Sequence, residues 1–195
     1  GFDTAVGFAT ESLDRLHSTA ASHGRVMVVE MMGRYAGWIA LHSGVAGSAD
    51  VILIPEYPYD IHKVIEKIKE RDMRGNKFTI VVVAEGASPK GGGVTVVEHE
   101  AGRAERLGGI GEKVAAEIHA ISGKETRVVV LGHLLRGGSP TSFDRLTALR
   151  FGAAAVRGLE EGHFGVMVAL DPPQVKYVPI EDAMGKMKMV PMDSD

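Results

Sequence analysis

The sequence predicts an α/β fold, a Rossmann-like three-layer sandwich with a mostly parallel sheet. Short apolar runs that are continuous rather than alternating indicate strands buried on both faces of such a sheet. Segments with helical periodicity separate these runs, and this alternation is typical of α/β layers. The chain has 195 residues, of which 45% are hydrophobic and 24% charged, as expected for one globular domain. We therefore expect residues 1–195 to form a single α/β domain.

The first third of the chain predicts two helices around one buried strand. Apolar residues recur at helical spacing over residues 4–22, which favours an amphipathic helix. Residues 26–29 form a continuous apolar run, and residues 26–30 are predicted to be a strand. A glycine-bearing turn with an arginine follows at residues 31–38 and leads into a helix of small residues over 39–47.

The middle of the chain predicts two more buried strands and the helix between them. The apolar run 51–54 is ended by prolines. Asp60 can cap a helix that turns Ile61, Val64, Ile65 and Ile68 inward, and Gly75 can end it. Residues 79–84 are a further strand, which leads directly to Glu85.

The region after residue 94 is ambiguous. Residues 94–100 are compatible with a short strand or with the lead into a helix. Apolar residues then mark one helix that is interrupted by glycines and ends at Gly123. The residues that mark it are Ala104, Leu107, Ile110, Val114 and Ile118.

The most informative stretch is 131–145, LGHLLRGGSPTSFDR. It follows a strand predicted at 128–131 and precedes a helix predicted at 142–161, which the capping pattern Thr141-x-x-Asp144 opens. His133 and Arg136 stand between them in a glycine-rich turn. A histidine alone is more typical of a structural role, but Arg136 beside two glycines favours an anion. The stretch predicts a phosphate site.

Residues 166–170 and 175–180 predict two further extended segments.

Polar residues follow several of the predicted strands. Arg34, Glu85, His133 and Arg136 come after strand ends, where α/β folds bind their ligands. Arg25 and Arg127 instead stand at strand beginnings, and if they bind the same ligand they must reach it from another subunit. Each of these residues also has a structural interpretation. Arg25 and Arg127 are compatible with ordinary solvated charges, Arg34 with a surface ion pair, and Glu85 with a carboxylate that caps a neighbouring helix.

Composition and missing motifs exclude several classes of function. A net charge of −3 is no footprint for nucleic acid, the absence of cysteine removes thiolate chemistry, and no apolar run is long enough to span a membrane. The sequence contains no P-loop, no GxGxxG after a strand, no HExxH and no GxSxG. It therefore predicts a place for a phosphorylated substrate without a recognisable seat for a nucleotide or a metal.

Three motifs, VVEMMGRYAGWIAL, VVVAEGA and ETRVVVLGHLLRGGSPTSFDR, resemble 6-phosphofructokinases, and the resemblance runs from GFDTA to VPMDSD. It implies transfer of the γ-phosphoryl of ATP, with Mg²⁺, to the 1-hydroxyl of fructose 6-phosphate. It also implies that Met32, Gly33 and Arg34 lie beside the sugar and the transferring phosphoryl, with Arg34 catalytic. Under the same resemblance Glu85 holds sugar hydroxyls, His133 and Arg136 hold the 6-phosphate, and Arg25 and Arg127 reach in from a neighbouring subunit of a homo-oligomer, a dimer or tetramer.

The chain departs from that family by lacking the Thr-Ile-Asp-Asn-Asp run, which carries the catalytic base, and the donor half before it. Together with the absence of an initiator Met, this leads us to expect the substrate-binding part of a longer, two-domain, cytoplasmic enzyme, inactive by itself. A pyrophosphate-dependent enzyme and a non-catalytic subunit that binds sugar phosphate or serves oligomerisation remain alternatives.

Overall fold

The computed structural model describes residues 1–98, 106–185 and 187–193. The helices are α1 (Phe2–His23), α2 (Trp38–Ala46), α3 (Ile61–Met73), α4 (Ile110–Ser122), α5 (Ser142–Glu160) and α6 (Ile180–Met184), with a 3₁₀ helix at Gly132–Arg136. The strands are β1 (Val26–Met31), β2 (Val51–Leu53), β3 (Thr79–Ala84), β4 (Val96–Glu98), β5 (Arg106–Leu107), β6 (Thr126–Val130), β7 (Val166–Asp171) and β8 (Gln174–Pro179).

The chain divides into two compact units. The sheet unit comprises Ala5–Gly137 and Met189–Asp195, and the hairpin unit comprises Gly1–Thr4 and Gly138–Lys188. The expectation that residues 1–195 act as one substrate-binding domain of a longer protein stays a prediction.

The sheet unit is built around four parallel strands in the order β2-β3-β1-β6. Every residue of β1 and β3 is buried, as their continuous apolar runs predicted. Alternate side chains of β1 enter different cores: Val26 and Val28 pack with α3 and α4, whereas Met27, Val29 and Met31 pack with α1 and α2. Helices therefore cover both faces of a parallel sheet, and the predicted α/β three-layer fold is confirmed.

Capping and helical spacing account for α3. The side chain of Asp60 accepts a hydrogen bond from the backbone N–H of His62 at 3.0 Å, which satisfies a free donor of the first turn. Val64, Ile65 and Ile68 are buried on one face, and the left-handed Gly75 follows the last turn. The predicted start, inward face and end of this helix are confirmed.

The helix predicted through Leu107 is wrong at its beginning. Leu107 belongs to β5, which pairs antiparallel with β4, and α4 begins only at Ile110. The reason is Gly109, whose φ of 75° is left-handed and cannot continue a right-handed helix. For the ambiguous stretch before it, the strand alternative is correct over β4. Ala104, His99 and Glu100 lie outside the described residues.

The hairpin unit contains α5 and an antiparallel pair of strands. The hydroxyl of Thr141 accepts a hydrogen bond from the N–H of Asp144, so the predicted cap of α5 is present. The Asp144 carboxylate does not complete a capping box; it accepts the backbone N–H of Thr4 at 2.8 Å. β7 and β8 pair from Val166 with Pro179 to Asp171 with Gln174. None of the helices that the structure describes is long and apolar enough to cross a membrane.

Candidate functional site

Three neighbouring strands end at one edge of the sheet, and four of the predicted site residues follow them. Glu85 comes directly after β3, Arg34 comes three residues after β1, and His133 and Arg136 lie on the 3₁₀ helix after β6. Because parallel strands stand ~4.8 Å apart, the three exits lie within about 10 Å of one another. The structure therefore brings these four side chains to the edge where α/β folds bind ligands.

Backbone hydrogen bonds join the turns after β1 and β3. Glu85 N–H donates to the carbonyl of Met31 at 2.9 Å, and Gly86 N–H donates to the carbonyl of Gly33 at 3.1 Å. A Cβ on Gly86 would lie only 1.9 Å from the carbonyl oxygen of Arg34, so this close approach requires glycine. The turn that carries Arg34 is thus held against the turn that carries Glu85.

The side chains of this joined surface are partly accessible. Glu85 is half-buried between buried neighbours, and its carboxylate lies 3.5 Å from the backbone nitrogen of Gly33. Met32 is partly buried and packs against the hydrophobic core. The guanidinium of Arg34 lies 5.3 Å from the ring centroid of Tyr35. A half-buried carboxylate can accept hydrogen bonds from hydroxyl groups, and a guanidinium on the adjoining turn can hold an anionic group.

A 3₁₀ helix replaces the turn predicted after β6. The carbonyl of Glu30 accepts the N–H of Leu131 at 3.0 Å, and Leu131 and Leu135 are buried, which fixes the helix to the sheet. A 3₁₀ helix has three residues per turn, so His133 and Arg136 project from the same side. Both are exposed. They form a pair of donors suited to a phosphate.

Glu30 is a buried carboxylate near the site that was not predicted from the sequence. Glu30 is 4% exposed and accepts the backbone N–H of Gly111, at the start of α4, at 2.8 Å. Burial raises the pKa of Glu30, hydrogen bonds from the backbone of Gly111 and Gly109 oppose the rise, and the charges of Glu85 and Glu112 add to it. One charged residue within an otherwise apolar strand was the signal that could have identified it.

Arg25 and Arg127 lie at the opposite edge of the sheet. Arg25 directly precedes β1, and Arg127 is the second residue of β6. Both contact Glu125, with nitrogen to oxygen distances of 3.0 Å for Arg25 and 2.6 Å for Arg127. A strand of six residues is about 20 Å long, so these arginines are not brought to the edge that carries Glu85. The expectation that they serve another subunit stays a prediction.

The described part of the chain offers no obvious metal seat. Over residues 1–98, 106–185 and 187–193, no group of three or more His, Asp or Glu side chains could hold a metal ion. The donor set at the site edge, two guanidinium groups, an imidazole and one carboxylate, is instead suited to anions and hydroxyl groups.

Comparisons with known proteins give one consistent result. The family model described as Phosphofructokinase matches residues 1–159. The ATP-dependent 6-phosphofructokinase of Chloroflexus aurantiacus is 53% identical over 195 residues, which are 100% of this chain and 53% of that protein. The pyrophosphate–fructose 6-phosphate 1-phosphotransferase of Amycolatopsis mediterranei is 51% identical over 195 residues, 99% of this chain and 57% of that protein. The chain spans about half the length of the relatives it matches.

Solved structures agree with these relatives. The pyrophosphate-dependent phosphofructokinase from Nitrosospira multiformis has a TM-score of 0.83 at 26% identity. The match covers 99% of this chain and 50% of the chain of that structure. The phosphofructokinase of Saccharomyces cerevisiae has a TM-score of 0.78 at 28% identity. The match covers 93% of this chain and 23% of the chain of that structure.

Proposed function

The chain belongs to the phosphofructokinase family, and from that premise we propose that it is the fructose 6-phosphate-binding portion of a 6-phosphofructokinase. The observation that carries the proposal is the convergence of Arg34, Glu85, His133 and Arg136 on one sheet edge. The whole enzyme transfers a phosphoryl group to the 1-hydroxyl of the sugar in glycolysis.

The 6-phosphate binds at the 3₁₀ helix. His133 and Arg136 are exposed on the same side of that helix, and a guanidinium can donate two parallel hydrogen bonds to phosphate oxygens. Glu85 accepts hydrogen bonds from sugar hydroxyls, because an ionised carboxylate only accepts. Met32 and Gly33 line the sugar beside it. This division sets the sugar between a phosphate anchor and the turn that carries Arg34.

Arg34 stabilises the phosphoryl group in transfer. Phosphoryl transfer depends on positioning and on neutralising charge on the equatorial oxygens, for which a preorganised guanidinium is suited. The catalytic base and the phosphoryl donor, with its Mg²⁺, come from the part of the enzyme that this chain does not span. ATP is the proposed donor. Pyrophosphate is the second candidate, since relatives of both kinds match at 53% and 51% identity.

A complete site needs more than one subunit. Arg25 and Arg127 converge on Glu125 at the far edge of the sheet, where they cannot contact a sugar bound beside Glu85. We place them in the fructose 6-phosphate site of a neighbouring copy, which makes the enzyme a homo-oligomer. Cytoplasmic location stays a prediction.

Steady-state kinetics of the whole enzyme test this division of roles. Arg136→Ala removes a contact to the distant phosphate, so it is expected to raise KM for fructose 6-phosphate by about tenfold or more with a smaller effect on kcat. Arg34→Ala removes a contact that strengthens in the transition state, so it is expected to lower kcat by about a hundredfold. The reverse pattern would contradict the proposal, and running the assays with ATP and with pyrophosphate identifies the donor.

A further inference from the structure

The turn that carries Arg34 is anchored at both ends, and only one anchor belongs to the sheet edge described above. At its beginning the turn is joined to Gly86 through the 3.1 Å bond to Gly33. At its end Gly37 starts α2, and the carbonyl of Gly37 accepts the N–H of Leu41 at 2.8 Å. Whatever holds Gly37 therefore fixes the second end of the catalytic turn.

Glu56 holds that second end. Its two carboxylate oxygens lie 3.0 and 3.1 Å from the backbone nitrogen of Gly37, which has no side chain to cap the helix. A carboxylate at the start of a helix is favourable because it meets free N–H groups and the positive end of the helix dipole. Close packing reinforces this contact, since a Cβ on Gly37 would lie 2.4 Å from Cβ of Ile54.

The same carboxylate binds a distant segment of the chain. Oε1 of Glu56 also accepts the backbone N–H of Val190 at 2.9 Å, and Val190 is 6% exposed. Glu56 thus joins α2 to the segment Met189–Asp195, which belongs to the sheet unit. Three points of the chain that are far apart in sequence meet at one side chain.

We infer that Glu56 is a positioning residue for Arg34: it clamps Gly37 and Val190 so that the guanidinium is held where the transferred phosphoryl group will lie. The inference rests on the proposed function. Glu56 itself contacts backbone and does not enter the reaction. A displacement of ~1 Å at a catalytic group can reduce a rate by about a hundredfold. A contact that fixes the end of the five-residue turn carrying Arg34 is therefore expected to affect the rate.

The test uses two probes that differ by one phosphate. Fructose 1,6-bisphosphate carries the phosphate that Arg34 is proposed to contact, and fructose 6-phosphate does not. The ratio of their affinities, measured by calorimetry on the chain, reports the position of Arg34 and cancels general losses of binding. Arg34→Ala gives the ratio expected when that contact is absent.

Two variants of Glu56 separate reach from charge. Glu56→Asp keeps the charge but withdraws the carboxylate by one methylene, so we expect about a tenfold fall of the ratio and faster exchange of the Gly37 amide. Glu56→Gln keeps the reach and an oxygen that can accept from Gly37 and Val190, so we expect most of the ratio to remain. The same two changes at the exposed Glu66 are the controls.

The outcomes are distinguishable. If wild type binds neither sugar, the proposed function fails, and the inference with it. If wild type binds fructose 6-phosphate but shows no preference for the bisphosphate, or if Glu56→Asp lowers both affinities equally, the inference alone is overturned. A larger loss in Glu56→Gln than in Glu56→Asp also overturns it, because charge rather than position would then be decisive.

Discussion

Gly86 offers a direct test of the joined turns on which the site depends. A methyl group at this position would lie 1.9 Å from the carbonyl oxygen of Arg34 and 2.9 Å from that of Gly33, whereas ordinary contact begins at 3.4 Å. Gly86→Ala must therefore separate the two turns by roughly 1.5 Å. The change also breaks the 3.1 Å hydrogen bond between Gly86 and Gly33. We expect a loss of about 2–4 kcal/mol in the free energy of unfolding, from overpacking and one lost hydrogen bond.

Urea unfolding and calorimetry measure both consequences of Gly86→Ala. Since Arg34 and Glu85 move apart, affinity for fructose 6-phosphate is expected to fall at least about tenfold. Gly93→Ala is the control, because Gly93 is exposed and a Cβ there meets nothing within 4 Å. If Gly86→Ala is as stable and binds as tightly as Gly93→Ala, the turns are not held together and the reasoning is refuted.

Two further predictions concern the buried carboxylate and the shared site. Burial raises the pKa of Glu30 above 4.5, so its contribution to stability is fully present below that pH and is lost as pH rises through the raised pKa. The stability of Glu30→Gln relative to wild type should therefore increase over this range in urea unfolding; a difference that does not change with pH contradicts the assignment. In the whole enzyme assayed at fructose 6-phosphate well below KM, Arg127→Ala and Arg136→Ala subunits are each expected to lose most of their activity, because each lacks a contact to the sugar phosphate. Their equal mixture should recover about a quarter of the activity, because half of randomly formed dimers carry one undamaged site; no recovery would show that one subunit supplies both arginines.

Local signals sufficed for most of the sheet unit. Continuous apolar runs identified β1 and β3, and Asp60 identified the start of α3, because burial on both faces and capping leave their mark within a few residues. The same logic placed Arg34 and Glu85 at strand ends. The prediction from local spacing was wrong around Leu107. Apolar residues there are spaced as in a helix, but the left-handed Gly109 prevents the helix from beginning before Ile110.

Contacts between distant segments were not predictable in this way. Glu30 meets Gly111 across 81 positions, and Glu56 meets Val190 across 134. Glu56 stands in none of the three motifs, the motif that contains Glu30 gives that residue no role, and each partner is a backbone N–H, which every residue except proline possesses. The need for glycine at position 86 likewise comes from the fold, since the carbonyl that it faces belongs to Arg34.

Calorimetric titration of this chain with fructose 6-phosphate, with its oligomeric state followed in parallel, tests the central claim most directly. We predict binding that is lost in Arg136→Ala and retained in Arg15→Ala, whose side chain is 78% exposed on α1. A folded oligomer that binds no fructose 6-phosphate, or binding that Arg136→Ala leaves unchanged, would contradict the assignment of the sugar-phosphate site to this chain.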